Sequence, residues 1–261
     1  MSETITIKTS EEIEKMRAAC KVTAQILDDV HEIVKPGIST EDINTFVHEL
    51  TLKLGAIPAP LNYKGFPKSV CTSVNEVVCH GIPSEKEILK EGDIINIDVT
   101  SILDGYYGDA SRMYFVGGKK ACTSKAIHLV ETAKKAMDIG IQMVKPGNRI
   151  GDIGHAIAHY VNGLGKNYGI VRDYTGHGIG NVFHELPQVV HIATKGTGEV
   201  MQPGMTFTVE PMINEGTYKT VCSRTDGWTV WTKDRKLSAQ WEETVLVTET
   251  GVEILTKSKI Y

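Results

Sequence analysis

The sequence predicts an α+β fold made of two similar βα halves. Two observations support this prediction: each half has helical segments followed by strand-like segments, and two blocks of sequence recur in the same order. The block "VKPGISTEDI" (34–43) returns as "VKPGNRIGDI" (144–153), with six of ten positions identical. The block "LKEGDIINID" (89–98) aligns with "MQPGMTFTVE" (201–210), and each contains a turn glycine and ends in a carboxylate. A chance match remains the alternative, because "KPG" is a common helix stop.

The repeat indicates one domain rather than two independent ones. We expect a single unit over residues 1–261, with halves at about 10–118 and 122–256. A pseudo-two-fold axis would relate the halves, so that their strands face each other across the middle of the molecule.

Two helices open the first half. Thr9 and Glu12 form a capping-box pattern, and a run at helical spacing follows until Pro36-Gly37 stops it. The residues of this run are Ile13, Met16, Cys20, Thr23, Leu27, Val30 and Val34. A second helix is predicted from the Ser39 cap to Gly55.

Strands follow these helices, and the second half repeats the order. Strand-like segments lie around 69–78 and in the apolar hairpin 93–115. A polar joint, "GGKKACTSK", leads to a helix from about Lys125. The second half closes with the strand "SAQWEETVLV" (238–247), which is the counterpart of the returning strand of the hairpin.

Composition excludes several classes of protein. With 261 residues, 41% hydrophobic and 23% charged, the chain can bury a large core. A net charge of −4 without a long basic run argues against nucleic acid as a partner. The sequence contains neither an apolar signal region nor eighteen consecutive apolar residues, so we expect no membrane partner and a cytoplasmic location. The five cysteines form no CxxC pair, which leaves a four-cysteine zinc site without support.

Four carboxylates fall at unfavourable positions in these strands. Asp98 interrupts an apolar run, Asp109 lies in the returning strand, and the repeat pairs them with Glu210 and Glu242. Burying ionised carboxylates is costly unless positive charge meets them, and about two divalent ions would neutralise four. Two such ions also suit hydrolysis, because together they acidify a water. Carboxylate-rich ligation favours manganese, iron or cobalt at least as much as zinc.

Histidines supply the candidate nitrogen ligand. His80, His177 and His184 all lie in segments punctuated by glycine or proline beside apolar strands, although each taken singly is also compatible with an ordinary core histidine. His155 and His159 have the spacing of zinc-peptidase ligands, but "HAIAH" lacks the glutamate of HExxH, so we interpret them as surface residues. "GHGIG" lacks the further features of a dinucleotide-binding loop.

The longer motifs closely resemble those of the type I methionine aminopeptidases of metallopeptidase family M24. They are "VCTSVNEVVCHGIP", "NIDVTSILDGYYGDASRMYFVG", "TGHGIGNVFHELP", "GMTFTVEP" and "DGWTVWTKDRKLSAQWEETVLVT". The resemblance extends from about Glu11 to Thr256. It implies the pita-bread fold, in which two pseudo-symmetric halves surround a central curved antiparallel sheet.

The resemblance also implies five metal ligands for two divalent ions, whether cobalt, manganese, iron or zinc. Asp109 and Glu242 would bridge both ions, Asp98 would complete one site, and His177 and Glu210 would complete the other. The repeat independently paired Asp98 with Glu210 and Asp109 with Glu242.

The implied reaction is removal of the initiator methionine from nascent proteins and peptides, with a small residue preferred at the second position. A metal-activated water would attack the first carbonyl, and Glu210 would handle the proton. His80 and His184 would stabilise the oxyanion and the scissile nitrogen, and the free amino terminus would bind beside Asp98.

A pocket for methionine is implied as well. Its walls would be Tyr63, Phe66, Cys71, Phe183 and Trp228, with His80 and His184 beside them. The chain departs from the commonest pattern with Phe66 in place of a tyrosine and Pro60 in place of a cysteine. Both changes keep the wall apolar, so they bear on fine specificity rather than on the reaction.

The short gap between Glu210 and Glu242 leaves no room for the helical insertion of type II enzymes, so a bacterial-type enzyme is expected. Nothing in the sequence demands more than a monomer. Two rival functions stay open: an Xaa-Pro peptidase of the same fold, and a pita-bread binding protein without catalysis. A transient contact with the ribosome also stays open.

Overall fold

The computed structural model describes residues 4–260, which form four α-helices and fifteen β-strands. The helices are α1 (Ser10–Val30), α2 (Thr40–Lys53), α3 (Ser124–Gln142) and α4 (Ile150–Gly163). The strands of the first half are β1 (Ile57–Pro58), β2 (Cys71–Val74), β3 (Val77–Cys79), β4 (Ile94–Leu103) and β5 (Tyr106–Phe115). Those of the second half are β6 (Gly169–Ile170), β7 (Gly176–Gly178), β8 (Glu185–Val189), β9 (Thr206–Val209), β10 (Met212–Asn214), β11 (Thr220–Cys222), β12 (Val230–Thr232), β13 (Ser238–Gln240), β14 (Glu243–Val247) and β15 (Val252–Ile254). Residues 1–3 and 261 of the expected domain lie outside the described residues.

Helix α1 begins where the capping box predicted. The Thr9 hydroxyl accepts the Glu12 N–H, and the Glu12 carboxylate accepts the Thr9 N–H at 2.8 Å. The predicted end at Val34 is wrong, because the helix ends at Val30. The amide of Ile33 bonds to the Val30 carbonyl three residues back, and this tighter turn closes the helix before the proline that follows.

The strand predictions hold with two refinements. The strand expected over 69–78 is the hairpin β2–β3, and the apolar hairpin 93–115 is β4–β5. The returning strand 238–247 is divided at Trp241 and Glu242, because β13 pairs with β10 whereas β14 pairs with β9. Glu242 therefore lies at the break, where its backbone pairs with Ser111 of β5.

All strand pairs are antiparallel, and each half has a central pair. In the first half β4 pairs with β5, β2 and β1, and in the second half β9 pairs with β14 and β7. The Ser111–Glu242 pairing joins the two central pairs. This is the predicted α+β pita-bread architecture of two pseudo-symmetric halves.

Each half has its own hydrophobic core. Helices α1 and α2 bury Leu27 and Val47 against Ile97 of β4. Helices α3 and α4 bury Leu129 and Ile153 in a second core, mainly with strands of the second half. Each fully buried aliphatic side chain contributes about 1.5–3 kcal/mol, so these helices hold the strands of the two halves in place. Among residues 4–260, no helix has the length and apolar character needed to cross a lipid bilayer.

Candidate metal centre

A cavity of about 350 Å³ lies where the two halves meet, and residues of β2, β3, β4, β5, β7, β10 and β13 line it. Every residue that the sequence singled out as a site residue lines it. These residues are Tyr63, Phe66, Cys71, His80, Asp98, Asp109, His177, Phe183, His184, Glu210, Trp228 and Glu242. Residues from both halves of the chain therefore share one cavity.

Strand register brings the carboxylates of the first half next to Glu242. Ser111 pairs with Asp98 on one side and with Glu242 on the other, so these three residues form a row across neighbouring strands. Asp109 lies two residues before Ser111 and thus on the same face. Paired and diagonal positions on one face lie within side-chain reach of each other.

His177 completes a compact group of ligand atoms. Asp109, His177 and Glu242 each offer one atom, and these atoms all lie within 4.8 Å of one another. The His177 Nε2 atom lies 3.6 Å from Asp109 Oδ2 and 3.8 Å from Glu210 Oε1. Its Nδ1 atom lies 3.1 Å from the Gly178 carbonyl oxygen, which can only accept, so Nδ1 carries a proton. The lone pair of the neutral ring is then on Nε2, facing the carboxylates.

The carboxylates are poorly compensated in the absence of a cation. Burial, together with the charges of Asp109 and Glu210, raises the pKa of Asp98 well above its usual range, and burial likewise raises the pKa of Glu242. Burial raises the pKa of Glu210 to about 7, although the charge of His177 opposes this shift. For His177, burial lowers the pKa, but the hydrogen bond to Asp109 and the charge of Glu210 outweigh it and the pKa rises. Within residues 4–260, His177 is the only basic side chain that forms ion pairs with these carboxylates, and its partners are Asp109 and Glu210.

This donor set fits divalent metal ions. The four carboxylates supply hard oxygen ligands, and the imidazole supplies a single nitrogen. A bound cation would lower the raised pKa values of the carboxylates. Ligand atoms around one ion lie up to about 4 Å apart, close to the span of the Asp109, His177 and Glu242 atoms. The buried acidic cluster, which lines one cavity with His177, supports divalent-metal use.

Three further residues, which the sequence reasoning missed, hold the carboxylates by hydrogen bonds. The Thr100 hydroxyl donates to Asp109 Oδ1 at 2.7 Å. The Thr208 hydroxyl donates to Glu210 Oε1 at 2.8 Å, and Gln240 Nε2 donates to Glu210 Oε2 at 3.0 Å. Each lies two positions along the chain from a carboxylate that lines the cavity, so strand alternation was the signal that would have found them.

His80 lies at the end of the β2–β3 hairpin with a φ of 55°, a left-handed conformation that is costly for a residue with a Cβ. The next residue, Gly81, leaves no room for a side chain, because a Cβ there would lie 2.0 Å from the Thr72 carbonyl oxygen. The His80 ring packs edge-on against Tyr174 and Trp228. Burial lowers its pKa to about 4, so the ring is neutral near pH 7.

His184 lies beside His177, with ring centroids 4.2 Å apart. Its Nδ1 atom shares a hydrogen bond with the Tyr63 hydroxyl at 3.0 Å. Burial, and then the charge of His177, lowers the pKa of His184 to about 3, which leaves this ring neutral as well. Two neutral imidazoles, His80 and His184, therefore line the cavity near the carboxylates.

The predicted pocket residues form an apolar wall of the cavity. Phe66 packs edge-on against Trp228 with centroids 5.3 Å apart, and Tyr63 lies 4.8 Å from Phe183. Burial raises the pKa of the Cys71 thiol well above its usual value, so the thiol stays neutral. Sequence reasoning missed several other lining residues: Lys64, Cys79, Asp173, Tyr174, Thr175 and Met212.

The motifs set aside on sequence grounds lie as expected. His155 and His159 are exposed on α4 and do not line the cavity. The "GHGIG" segment forms β7, where it supplies His177 rather than a phosphate-binding loop.

Comparisons with known proteins agree with this geometry. Residues 14–249 match the model of metallopeptidase family M24. The chain is 54% identical to a methionine aminopeptidase of Rickettsia prowazekii, over 98% of this chain and 96% of the relative. A crystal structure of methionine aminopeptidase from Rickettsia prowazekii superposes with a TM-score of 0.94 at 53% identity, covering 97% of this chain and 100% of the other. For the enzyme from Thermotoga maritima the TM-score is 0.93 at 42% identity, covering 98% of this chain and 100% of the other. The chain therefore belongs to metallopeptidase family M24 and, within it, to the methionine aminopeptidases.

Proposed function

We propose that this chain removes the initiator methionine from nascent proteins and peptides, with two divalent ions as cofactors and a preference for a small second residue. The observation that carries the proposal is one cavity in which a buried carboxylate-histidine cluster adjoins an aromatic wall. The relatives match nearly the full length of this chain and are named for the same activity.

The carboxylates and His177 would hold the ions. Asp109 and Glu242 would bridge both, Asp98 would complete one site, and Glu210 and His177 would complete the other. When bound, the ions would supply Lewis acidity and an acidified water, which is the chemistry that peptide hydrolysis needs.

The remaining polar residues would bind the substrate and handle protons. Glu210, with both oxygens held by hydrogen bonds, would take up the proton released during attack on the carbonyl. His80 and His184, whose lowered pKa values keep them neutral, would each present one N–H to the oxyanion or to the leaving nitrogen. The free amino terminus would lie beside Asp98, which limits cleavage to the first peptide bond.

The aromatic wall would select methionine. Tyr63, Phe66, Phe183 and Trp228 offer ring edges and faces to a thioether, and Cys71 adds a neutral, polarisable thiol. An unbranched, flexible side chain fits such a wall better than a charged or branched one.

A peptide assay tests the proposal. Protein freed of metal by chelation is incubated with Met-Ala-Ser, Met-Phe-Ser and Xaa-Pro peptides, with and without manganese, iron or cobalt. We expect methionine release only with metal, and faster from Met-Ala-Ser than from Met-Phe-Ser. Cleavage confined to Xaa-Pro bonds would establish the first rival function, and full metal loading without any cleavage would establish the non-catalytic one.

Several finer expectations remain proposals. We expect a monomer with one catalytic domain, located in the cytoplasm, without nucleic-acid or membrane partners. Two further properties to measure are the identity of the ion in the cell and a transient contact with the ribosome. Metal analysis of protein purified from its source and sedimentation with ribosomes address them.

A further inference from the structure

The segment before α1 is anchored to the second half of the molecule through Lys8. The Lys8 side chain is 2% exposed and forms an ion pair with Glu185, whose side chain is also 2% exposed. The Lys8 N–H donates to the Gly204 carbonyl at 2.9 Å. Both the backbone and the side chain of Lys8 are thus fixed to residues that are distant in sequence.

Lys8 passes directly against the loop that carries His184. A Cβ at Gly180, where this loop begins, would lie 2.6 Å from Cε of Lys8, so the lysine stem occupies the space that a side chain would take. The Gly180 carbonyl accepts the N–H of Tyr107 at 2.9 Å, which fixes the start of the loop. The end of the loop is fixed by the ion pair of Glu185.

Glu185 and His184 are neighbours with different surroundings. His184 lines the cavity and bonds Tyr63, whereas Glu185 is the first residue of β8 and does not line the cavity. His184 lies in the bend that leads directly into β8 at Glu185. The Lys8–Glu185 ion pair therefore lies outside the cavity, next to the backbone that carries His184.

Both partners of the Lys8–Glu185 ion pair depend on each other, because the pair is buried. Two charges in a dry site stabilise each other only while both are present, and removing one leaves the other buried and unpaired. The only other side chain hydrogen-bonded to Glu185 within the described residues is Thr6, at a longer 3.4 Å. Lys8 is accordingly the main partner of the Glu185 carboxylate, while the Glu185 backbone pairs with Gly178 of β7.

We propose that Lys8 is a positioning residue: through its ion pair with Glu185, it sets the place of His184 in the cavity. The consequence for turnover rests on the proposed function, in which His184 donates to the reacting peptide. The effect on the His184 ring itself does not depend on that function. A displacement of a catalytic group by about 1 Å can reduce the rate by about a hundredfold.

The test compares three variants. Lys8→Met removes one charge, and because it leaves Glu185 unpaired it can fail to fold. Lys8→Met combined with Glu185→Gln removes both charges and keeps a neutral core, so this double variant is the decisive one. Asp28→Asn is the matched control, since it breaks a largely buried ion pair, to Arg112, that does not adjoin the loop.

Two readouts are taken on the metal-loaded proteins. One is the NMR signal of the His184 ring, assigned with His184→Ala, and the other is kcat and KM for Met-Ala-Ser. We expect the double variant to shift or broaden the His184 signal, to leave the His80 signal in place, and to lose kcat by about tenfold or more with little change in KM. Asp28→Asn should leave both readouts unchanged.

The outcomes separate the two ideas. An unmoved His184 signal in the double variant, or an equal movement in Asp28→Asn, would overturn the positioning role. A moved signal in a protein whose wild type releases no methionine would overturn the proposed function and support the positioning role.

A second, independent observation concerns His155 and His159 on α4. Both are exposed, one helical turn apart, with nearly parallel rings whose centroids are 6.3 Å apart. Residues at this spacing share one helix face, and two imidazoles placed so can hold one ion while water fills its other positions. The structure assigns to this pair a surface site for a borderline divalent cation such as nickel or copper, separate from the cavity.

Equilibrium dialysis with nickel tests this site. The wild type should bind one more nickel ion per chain than His155→Ala or His159→Ala. The measured quantity is bound nickel, so the result does not depend on peptide cleavage. His128→Ala, which removes an exposed histidine from α3, should bind as many ions as the wild type. Equal nickel content in the wild type and both pair variants would refute the site.

Discussion

Glu210→Gln should stabilise the metal-free protein at neutral pH, although it removes a proposed ligand. Burial raises the pKa of Glu210 from its ordinary 4.5 to about 7, so the folded chain holds this proton more tightly than the unfolded chain does. As pH rises from about 4.5 to about 7, the unfolded state releases the proton first. The metal-free protein therefore loses stability over this interval, and a neutral glutamine avoids the loss.

The size of the effect follows from the pKa. A rise from 4.5 to about 7 corresponds to about 3 kcal/mol above pH 7, and to less than about 1 kcal/mol at pH 5. For a chain of this length, about 3 kcal/mol moves the melting temperature by about 6–12 °C. With manganese added, the wild type should melt at a higher temperature than Glu210→Gln, because metal binding stabilises the wild type more than the variant.

Thermal unfolding at pH 5 and pH 7.5, with chelator and with manganese, measures this. Variants are compared with the wild type at each pH, since buried His80, His184 and His191, with lowered pKa values, make every form less stable as pH falls below about 6.5.

Glu243→Gln is the matched control for this measurement. Burial also raises the pKa of Glu243 to about 7, but its side chain does not line the cavity. Its stabilising effect should be the same with and without metal. The reasoning is refuted if, without metal at pH 7.5, Glu210→Gln has the same melting temperature as the wild type while Glu243→Gln has a higher one.

The remaining predictions concern the other cavity residues. Asp109→Asn and Glu242→Gln should abolish methionine release and lower bound metal by elemental analysis; full metal content in either would contradict the bridging assignment. His177→Ala should weaken metal affinity and turnover together, measured by calorimetry beside kinetics, with partial recovery in excess metal. His80→Ala and His184→Ala should keep metal affinity and lose about a hundredfold in kcat, without recovery in excess metal. If His80→Ala loses metal as severely as His177→Ala, the division between metal ligand and catalytic donor is wrong. Metal should raise the melting temperature of the wild type more at pH 7.5 than at pH 5.5, because protons compete for the cluster; a pH-independent rise would argue against a buried acidic site.

Local patterns predicted the two-half α+β organisation and the four carboxylates of the cavity, whereas the ligand role of His177 and the aromatic wall were implied by the family resemblance. Asp98 and Asp109 were conspicuous because each breaks an apolar strand, and the repeat then led to Glu210 and Glu242. All four line the same cavity. A carboxylate in a strand is a strong signal, since it is costly to bury without a partner.

Features that depend on how distant segments dock were not predictable. The hydrogen bond from Tyr63 to His184 and the ion pair from Lys8 to Glu185 join residues that no sequence pattern relates. The break of the returning strand at Glu242 was hidden too, because β-propensity is continuous across it and only the change of partner strand divides it.

The pairing of Ser111 with Glu242 also bears on how the chain acquires its activity. The cluster draws Asp98 and Asp109 from one half and Glu242 from near the other end of the chain. Contacts between such distant residues form late in folding, because the intervening loop must close first. During synthesis, the first half emerges with its two aspartates unable to assemble the cluster on their own. A newly made chain therefore cannot assemble the cluster until its final strands are in place.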